Sequence, residues 1–151
     1  MAMLTAMHQV AIDALLQAGF GTDDISAIMG NIDVETGGTF DFAQRQEGGS
    51  GYGLFQFDGG HKDAYFNWLE STGMDDSANS QADFVYKNIY GKEHPYDLGW
   101  KVRGMLQSAF DGDMSNLDKA KLFSNEYERP GKPHMDRRLE STLKFEGLLA
   151  S

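Results

Sequence analysis

The sequence predicts a mainly α-helical protein with one small β element. In most segments between glycines and prolines, apolar residues recur at the three- and four-residue spacings of a buried helix face. Only the stretch 39–57 combines a glycine-rich turn with closely spaced aromatic residues, which is typical of a hairpin. With 151 residues, 40% of them hydrophobic, the chain 1–151 is expected to form a single domain with its own core. It has no cysteine, so no disulfide supports the fold.

About six to seven helices are expected from the apolar spacing. The first helix should stop at Gly19, and its expected core face comprises Met3, Met7, Val10, Ala14 and Leu15. Thr22 is a favourable N-cap for the second helix. The expected core face of the second helix comprises Ile25, Ile28, Met29 and Ile32.

The later helices are predicted in the same way. The third should run from His61 to Thr72. The expected starting residues of the others are Asn79 or Ser80 for the fourth, Ser115 with Asp118 for the sixth, and Pro133 for the last. The apolar spacing also predicts which residues of these helices face inward. They are Tyr65, Trp68 and Leu69 in the third helix, and Ala82, Val85, Tyr86 and Ile89 in the fourth. In the fifth they are Val102, Met105, Leu106 and Ala109, and in the last Met135, Leu139, Leu143 and Glu146.

One carboxylate is expected on the buried side of the second helix. Glu35 lies about 20° around the helix from Ile28, and Gly37 and Gly38 are expected to stop the helix directly after it. Partial burial and the negative end of the helix dipole both disfavour the ionised form, so both raise the pKa of Glu35. A raised pKa suits a general acid that works near neutral pH. The simpler alternative is a helix-end Glu that faces solvent.

Two further stretches connect Glu35 to a known family. The sequence GGSG at 48–51 leads into YGLFQF at 52–57. Glu-Thr-Gly-Gly at a helix end, followed by Gly-Tyr-Gly-Leu-Phe-Gln, resembles the phage tail lysozymes and, more distantly, the goose-type lysozymes and soluble lytic transglycosylases. The stretch YERPG at 127–131, with Arg137 and Arg138 beyond it, resembles the closing segment of phage tail lysozymes. For Glu128 and Arg129 themselves, an ion pair that fixes the turn is the expected role.

The resemblance implies an α+β lysozyme-like fold in which the hairpin forms one side of a sugar cleft. Glu35 matches the catalytic acid of the family, and residues 52–57 match the strand that lines the cleft. Tyr52 and Phe57 would then offer aromatic faces to sugar rings, and Gln56 would hydrogen-bond the substrate. Because alternate residues of a strand face the core, Phe57 is equally well interpreted as a core residue.

The implied chemistry is cleavage of a glycosidic bond through an oxocarbenium-like transition state. Hydrolysis then needs a second carboxylate or a positioned water. Glu47, at the entry to the glycine turn, is the favoured second carboxylate; Asp58 is the next candidate and Asp41 the third. Asp58 could instead simply cap the third helix. Distant relatives use a single Glu, with the N-acetyl group of the substrate assisting and an anhydro-sugar released.

Charge and composition narrow the possible partners. A formal net charge of −10 argues against nucleic-acid binding and gives no general attraction to an anionic cell wall. No segment is long enough to insert into a membrane, and residues 1–20 lack the basic start of a signal peptide. The four histidines lie on separate segments without the spacing of metal ligands. No metal and no cofactor are therefore expected.

The leading interpretation is a phage or prophage muramidase. It would cleave peptidoglycan glycan strands between N-acetylmuramic acid and N-acetylglucosamine, and so be antimicrobial. It would be made in the host cytoplasm, associate with other virion proteins, and act in the periplasm or cell wall. The first alternative is a lytic transglycosylase with the same acid, and the second is a non-catalytic wall-binding or structural virion protein. The acid at Glu35 favours an enzyme, since a structural descendant would have no reason to keep it.

Overall fold

A computed structural model describes residues 3–150 of the chain. Within these residues the fold contains seven α-helices and one π-helix, and no β-sheet. The helices are α1 (Ala6–Ala18), α2 (Ile25–Glu35), α3 (Gly59–Thr72), α4 (Ala78–Tyr90), α5 (Trp100–Asp111), α6 (Asn116–Leu122), the π-helix (Phe123–Glu128) and α7 (Met135–Ala150). The prediction of a mainly helical fold is confirmed.

The predicted β-hairpin is wrong. The segment 39–57 consists of turns, with only two isolated bridges, from Arg45 to Tyr52 and from Tyr52 to Phe57. Left-handed backbone at Gly53 and Gln56, with φ of 84° and 50°, interrupts any extended run. A buried side chain also takes the place of a neighbouring strand, because Gln81 accepts a hydrogen bond from the Leu54 backbone N–H at 2.8 Å.

Helix α2 is the central element of the core. All four apolar residues predicted for its core face are at most 2% exposed: Ile25, Ile28, Met29 and Ile32. Its largest contact is with α7. Gly30 permits that contact, because a Cβ there would lie 2.2 Å from the Thr142 hydroxyl and 2.9 Å from the Arg138 carbonyl oxygen.

The predicted inner faces of three other helices are partly wrong, including that of α5, where Met105 is exposed. Met3 precedes α1 and is exposed, and so are Met7 and Val10 within the helix, whose buried residues are Ala11, Ile12, Ala14 and Leu15. In α7, Leu143 is exposed, whereas the buried residues are Arg138, Ser141, Thr142 and Phe145. Polar residues are inside in α7 because that face contacts the polar C-terminal end of α2, where hydrogen bonds stabilise them. The spacing of apolar residues alone therefore gave the wrong face.

The helix starts differ by a few residues from those predicted. Ser77, rather than Asn79 or Ser80, caps α4 through its side chain. The N-cap of α2 is Asp24 instead of Thr22. The predicted cap at Ser115 is confirmed, since its side chain accepts from the Asp118 N–H at 3.2 Å.

The C-terminal half has a feature that the periodicity does not predict. Helix α6 continues without a break into the six-residue π-helix, and Arg129, which follows the last π-helical residue, has the left-handed conformation. The π-helix carries Tyr127 into the core, and the neighbouring Glu128 is partly buried, with its Oε1 atom inaccessible to solvent. Within residues 3–150, no helix combines the length and apolar character needed to cross a membrane.

Candidate active site

Glu35 is the last residue of α2, where the chain turns into the segment 36–58. The hydroxyl of Thr36 stabilises this end: it donates to the Ile32 carbonyl at 2.8 Å and accepts from the Phe40 N–H at 3.1 Å. Gly37 and Gly38 then adopt φ of 61° and 87°, which favours glycine. The carboxylate of Glu35 is therefore held at a fixed position at the negative end of the helix.

Arg138 of α7 pairs with Glu35. The Arg138 side chain is 1% exposed, and its Nη2 donates to Glu35 Oε1 at 2.6 Å. Its Nη1 donates to Asn31 Oδ1 at 2.8 Å and its Nε donates to the Pro133 carbonyl at 2.6 Å. Three different partners therefore fix the plane of the guanidinium. The close contact of α7 with α2 at Gly30 brings the charge to the helix end.

Glu128, at the end of the π-helix, supplies a second carboxyl group. Its Oε1 is buried and has no hydrogen-bond partner among the described residues. The ion pair expected between Glu128 and Arg129 is likewise not found there, so that prediction is wrong. Burial raises the pKa of Glu128 well above its ordinary value, and the nearby charge of Glu35 raises it further. Burial and the charge of Glu35 therefore both favour the protonated form of Glu128.

The two carboxyl groups and Arg138 form one electrostatic unit. Burial also raises the pKa of Glu35, although the hydrogen bond and charge of Arg138 partly offset this. A single guanidinium balances one ionised carboxylate, and a second negative charge in the same buried site would be costly. The pair therefore keeps one proton and titrates as a unit. A buried carboxyl that keeps its proton is the group that acid catalysis requires.

The unit opens onto a cleft with a volume of about 690 Å³. Glu35, Glu128 and Arg138 line it together with Gln56, Asp58 and the loop 129–134. A smaller cavity of about 220 Å³ shares Gln56, Asp58, Glu128 and Arg129 with the cleft and so extends it past the π-helix. The combined space is large enough for an extended ligand.

Left-handed backbone concentrates around this cleft. Four non-glycine residues among those described have a φ near +50°: Phe40, Gln56, Arg129 and His134. Three of them, all except Phe40, line the cleft. A non-glycine residue in this region costs about 1–2 kcal/mol, and such strain tends to occur at functional sites.

A buried polar network supports the π-helix beside Glu128. The Tyr127 hydroxyl accepts from Asn88 Nδ2 at 3.0 Å and lies 2.9 Å from His61 Nε2. Burial lowers the pKa of His61 to about 4, so the imidazole is neutral at neutral pH and is hydrogen-bonded to the Tyr127 hydroxyl through Nε2. The His61 ring also stacks on Tyr96, with centroids 4.3 Å apart. This network fixes the position of Tyr127 and hence of its neighbour Glu128.

Comparison with known families decides what kind of site this is. A family model described as phage tail lysozyme matches residues 6–145. The chain belongs to the phage tail lysozyme family. No curated protein sequence matches the chain. Family membership makes it a phage lysozyme-like cell-wall hydrolase, a glycosidase whose substrate is peptidoglycan. The buried carboxyl pair and the cleft are therefore the candidate active site of a phage tail lysozyme.

The residues predicted for the site lie in different places. Gln56 and Asp58 line the cleft with Glu35. Asp58 also caps α3, accepting from the Gly59 N–H at 2.8 Å, and it is hydrogen-bonded to the Ser50 hydroxyl. Glu47 is exposed on a turn and does not line the cleft. Phe57 is 1% exposed in the core.

Tyr52 also has mainly internal contacts. It is 7% exposed, its hydroxyl is hydrogen-bonded to Asp76, and its ring lies against Phe66 with centroids 5.3 Å apart. The side-chain nitrogen of Gln56 donates to the carbonyls of Gln44 and Gly53, at 3.1 and 2.8 Å. Of the three residues predicted to bind sugar, Gln56 is thus the one that reaches the cleft of this phage tail lysozyme.

Sequence reasoning did not assign two important groups of the site. Arg138 stood out only as part of a segment that resembles the family. Glu128 was expected to pair with its neighbour Arg129. The usable signal was the absence of a helix break before Glu128, since a continuous helical run from Asn116 turns Tyr127 and Glu128 inward. The π-helical register that places both residues inside has no sequence signature of its own.

Proposed function

We propose that this phage tail lysozyme is a muramidase that cleaves between N-acetylmuramic acid and N-acetylglucosamine, with Glu35 as general acid. The observation that carries the proposal is the pair of buried carboxyl groups, Glu35 and Glu128, beside Arg138 at the wall of the cleft. The strained backbone around the same cleft supports a functional role for it. The family description supports peptidoglycan as the substrate.

In the proposed mechanism, the one proton of the pair passes from Glu35 to the glycosidic oxygen as the bond to C1 breaks. A water molecule then forms a bond to C1 and gives a proton back to the pair, which restores the acid. The carboxylate that remains on Glu35 is stabilised by Arg138, which is already in hydrogen-bonding position and needs no reorganisation. Because the acid form is the reactive one, the cleavage rate should fall as the pH rises through the raised pKa of the pair.

We propose Glu128 as the second carboxyl group, in place of Glu47. Glu128 lines the cleft and is coupled electrostatically to Glu35, whereas Glu47 is exposed on its turn. Asp58 remains a candidate for stabilising the positive charge that develops on the sugar, because it lines the same cleft and its pairing with Ser50 and Gly59 keeps it oriented.

The biological setting is also part of the proposal. The family description supports an enzyme carried by the phage tail. We propose that other virion proteins hold it there. It would be made in the host cytoplasm, act on the wall from the periplasm or cell surface, and be antimicrobial when applied from outside. The residues 1–151 would act as a single catalytic domain.

Analysis of the sugar ends released from purified peptidoglycan tests the function. New reducing ends of muramic acid, formed by the wild-type protein and absent with Glu35→Gln, would support the proposal. Anhydro ends would show a lytic transglycosylase with the same acid. Intact glycan after prolonged incubation with a folded wild-type protein would refute an enzymatic role. Glu47→Gln is the matched control, since it removes an exposed carboxylate from outside the cleft.

A further inference from the structure

A second large cavity adjoins the cleft. It has a volume of about 690 Å³ and lies between the C-terminal end of α2 and the first turns of α7. It shares Val34 and His134 with the cleft, so a ligand in one could continue into the other. We call it the α7 cavity. Its volume is within the range of about 300–1,000 Å³ that is usual for ligand sites.

The α7 cavity contains one satisfied ion pair. Lys144 Nζ lies 3.0 Å from Asp33 Oδ2, which also accepts from the Ser141 hydroxyl at 2.5 Å. These two charges balance each other, and both side chains are held in place by the contact of α2 with α7. They form a neutral wall to the cavity.

Two further charged residues line the α7 cavity without partners. Arg137 and Glu140 are exposed and three positions apart on α7. Residues at this spacing readily pair on a helix. Neither, however, forms an ion pair with any residue that the structure describes. The α7 cavity thus presents one free cation and one free anion to a ligand.

We propose that the α7 cavity binds the stem peptide of the muramic acid residue at the cleaved bond. The proposal rests on the muramidase function proposed above. A stem peptide is joined to its sugar next to the glycosidic linkage, so it must leave the cleft through an adjoining space. It carries free carboxylates as well as the ammonium group of a diamino acid. Arg137 would bind a carboxylate through two parallel hydrogen bonds, and Glu140 would bind the ammonium group.

The mixed charges favour a peptide over a phosphate-rich wall polymer. A polyanion would be attracted by Arg137 but repelled by Glu140. A stem peptide satisfies both residues. Such a local site also answers a difficulty posed by the net charge of −10, which gives the protein no general attraction to an anionic wall. Specific contacts to the peptide would supply that attraction instead.

The test compares KM for two forms of one substrate: peptidoglycan stripped of phosphate polymers, before and after an amidase has removed its stem peptides. Arg137→Gln and Glu140→Gln should each raise KM for the intact form about two- to fivefold, as expected for an exposed ion pair, with kcat unchanged. Lys101→Gln, an exposed cation on α5 that lines neither cavity, is the matched control and should leave KM unchanged. On the form from which the amidase has removed the stem peptides, the wild type and the three variants should all have the same KM.

The other possible results distinguish a failure of the stem-peptide site from a failure of the muramidase function. If Arg137→Gln raises KM for the intact form and Glu140→Gln lowers it, the cavity binds only negative charges of the substrate and the stem-peptide assignment is overturned. The assignment would also be overturned if all variants had equal KM values on the intact form. It would likewise be overturned if Arg137→Gln and Glu140→Gln raised KM equally on the form without stem peptides. In these cases wild-type cleavage would still support the muramidase function. Failure of the wild type to cleave either form would refute that function and the subsite with it.

Discussion

The two ends of α2 hold two buried ion pairs that look alike but differ in one group. At the N-terminal end, Asp24 pairs with Lys119 of α6 at 2.8 Å. At the C-terminal end, Glu35 pairs with Arg138 of α7 at 2.6 Å. In each pair the cation is less than 5% exposed. Burial raises the pKa of both acids, and the cation partly offsets that effect.

Among the described residues, only the C-terminal end has a second carboxyl group with a buried oxygen, that of Glu128, whereas the carboxylates near Asp24, those of Asp23 and Asp111, are exposed. At the N-terminal end the buried charges of Asp24 and Lys119 balance each other, and the pair joins α2 to α6. At the C-terminal end two carboxyl groups share one guanidinium. Because the guanidinium balances only one negative charge, the other carboxyl group retains its proton. The difference between a structural ion pair and a candidate acid catalyst is therefore one additional carboxyl group. The third group also gives Arg138 a second possible counter-ion.

The largest expected effect is on stability at the N-terminal end. Asp24→Asn leaves Lys119 charged and buried without a counter-ion, which should lower the free energy of unfolding by about 3–5 kcal/mol. The cleavage rate per folded molecule should be retained, because the substitution is at the other end of α2. Urea unfolding and an activity assay at low temperature measure the two quantities. A loss of stability below about 1 kcal/mol would mean that this pair is not a structural one.

Glu35→Gln should give the opposite result. Cleavage should fall by a factor of about a hundred or more, the usual contribution of general acid catalysis. Stability should change little, since Glu128 can then ionise and balance Arg138. The double variant Glu35→Gln/Glu128→Gln removes both counter-ions and should be destabilised about as strongly as Asp24→Asn, by about 3–5 kcal/mol. A fully stable double variant would contradict the role of Glu128 as a counter-ion, and activity within a few-fold of wild type for Glu35→Gln would contradict the acid assignment.

Glu128→Gln tests the retained proton through the pH dependence of stability. Because the folded-state pKa of Glu128 is raised above 4.5, the stability it contributes is complete below that pH and is lost as the pH rises. While the unfolded chain is ionised and the folded carboxyl is not, the free energy of unfolding falls by about 1.4 kcal/mol per pH unit. Glu128→Gln should remove this slope. Relative to wild type, it should therefore be more stable at pH 7 than at pH 4.5. A slope that persists in the variant would assign the titration to another group.

The smallest effects are expected at the carboxylates predicted from sequence in the segment 36–58. Asp58→Asn weakens the cap of α3 and should cost about 1 kcal/mol, seen as a lower melting temperature. If Asp58 also stabilises the transition state, kcat should fall without a change in KM. Glu47→Gln should change neither quantity, because Glu47 is exposed and outside the cleft. A slow but fully stable Glu47→Gln would restore the assignment made from the sequence.

The sequence carried enough information for the helices and for the position of Glu35. The core face of α2, formed by Ile25, Ile28, Met29 and Ile32, follows from the spacing of residues within one helix. The end of that helix at Gly37 follows from the backbone conformation of a single residue. Both can be predicted from neighbouring residues alone. Arg138 and Glu128 reach the site through contacts across about a hundred positions of sequence, which no local pattern encodes.

The prediction of a hairpin failed for a related reason. The glycines and aromatic residues of 48–57 fit a strand locally, but the side chain of Gln81, from α4, satisfies the backbone where a second strand would otherwise be needed. The buried face of α7 was missed because its residues are polar and only the polar end of α2 makes their burial favourable. The sequence patterns predict that hydrophobic residues are buried. At this site polar and charged residues are buried instead, because they pair with one another.

The most direct measurement is a carbon-13 NMR titration of the glutamate side-chain carboxyl groups, in wild type and in the two single variants Glu35→Gln and Glu128→Gln. In the wild type, one carboxyl should remain protonated at neutral pH, with a pKa well above the ordinary 4.5. That resonance should disappear in Glu128→Gln, and in Glu35→Gln its pKa should fall because Arg138 then has no other counter-ion. If every glutamate in the wild type titrates near 4.5, or if the protonated resonance survives unchanged in both variants, the C-terminal end of α2 holds no proton for catalysis.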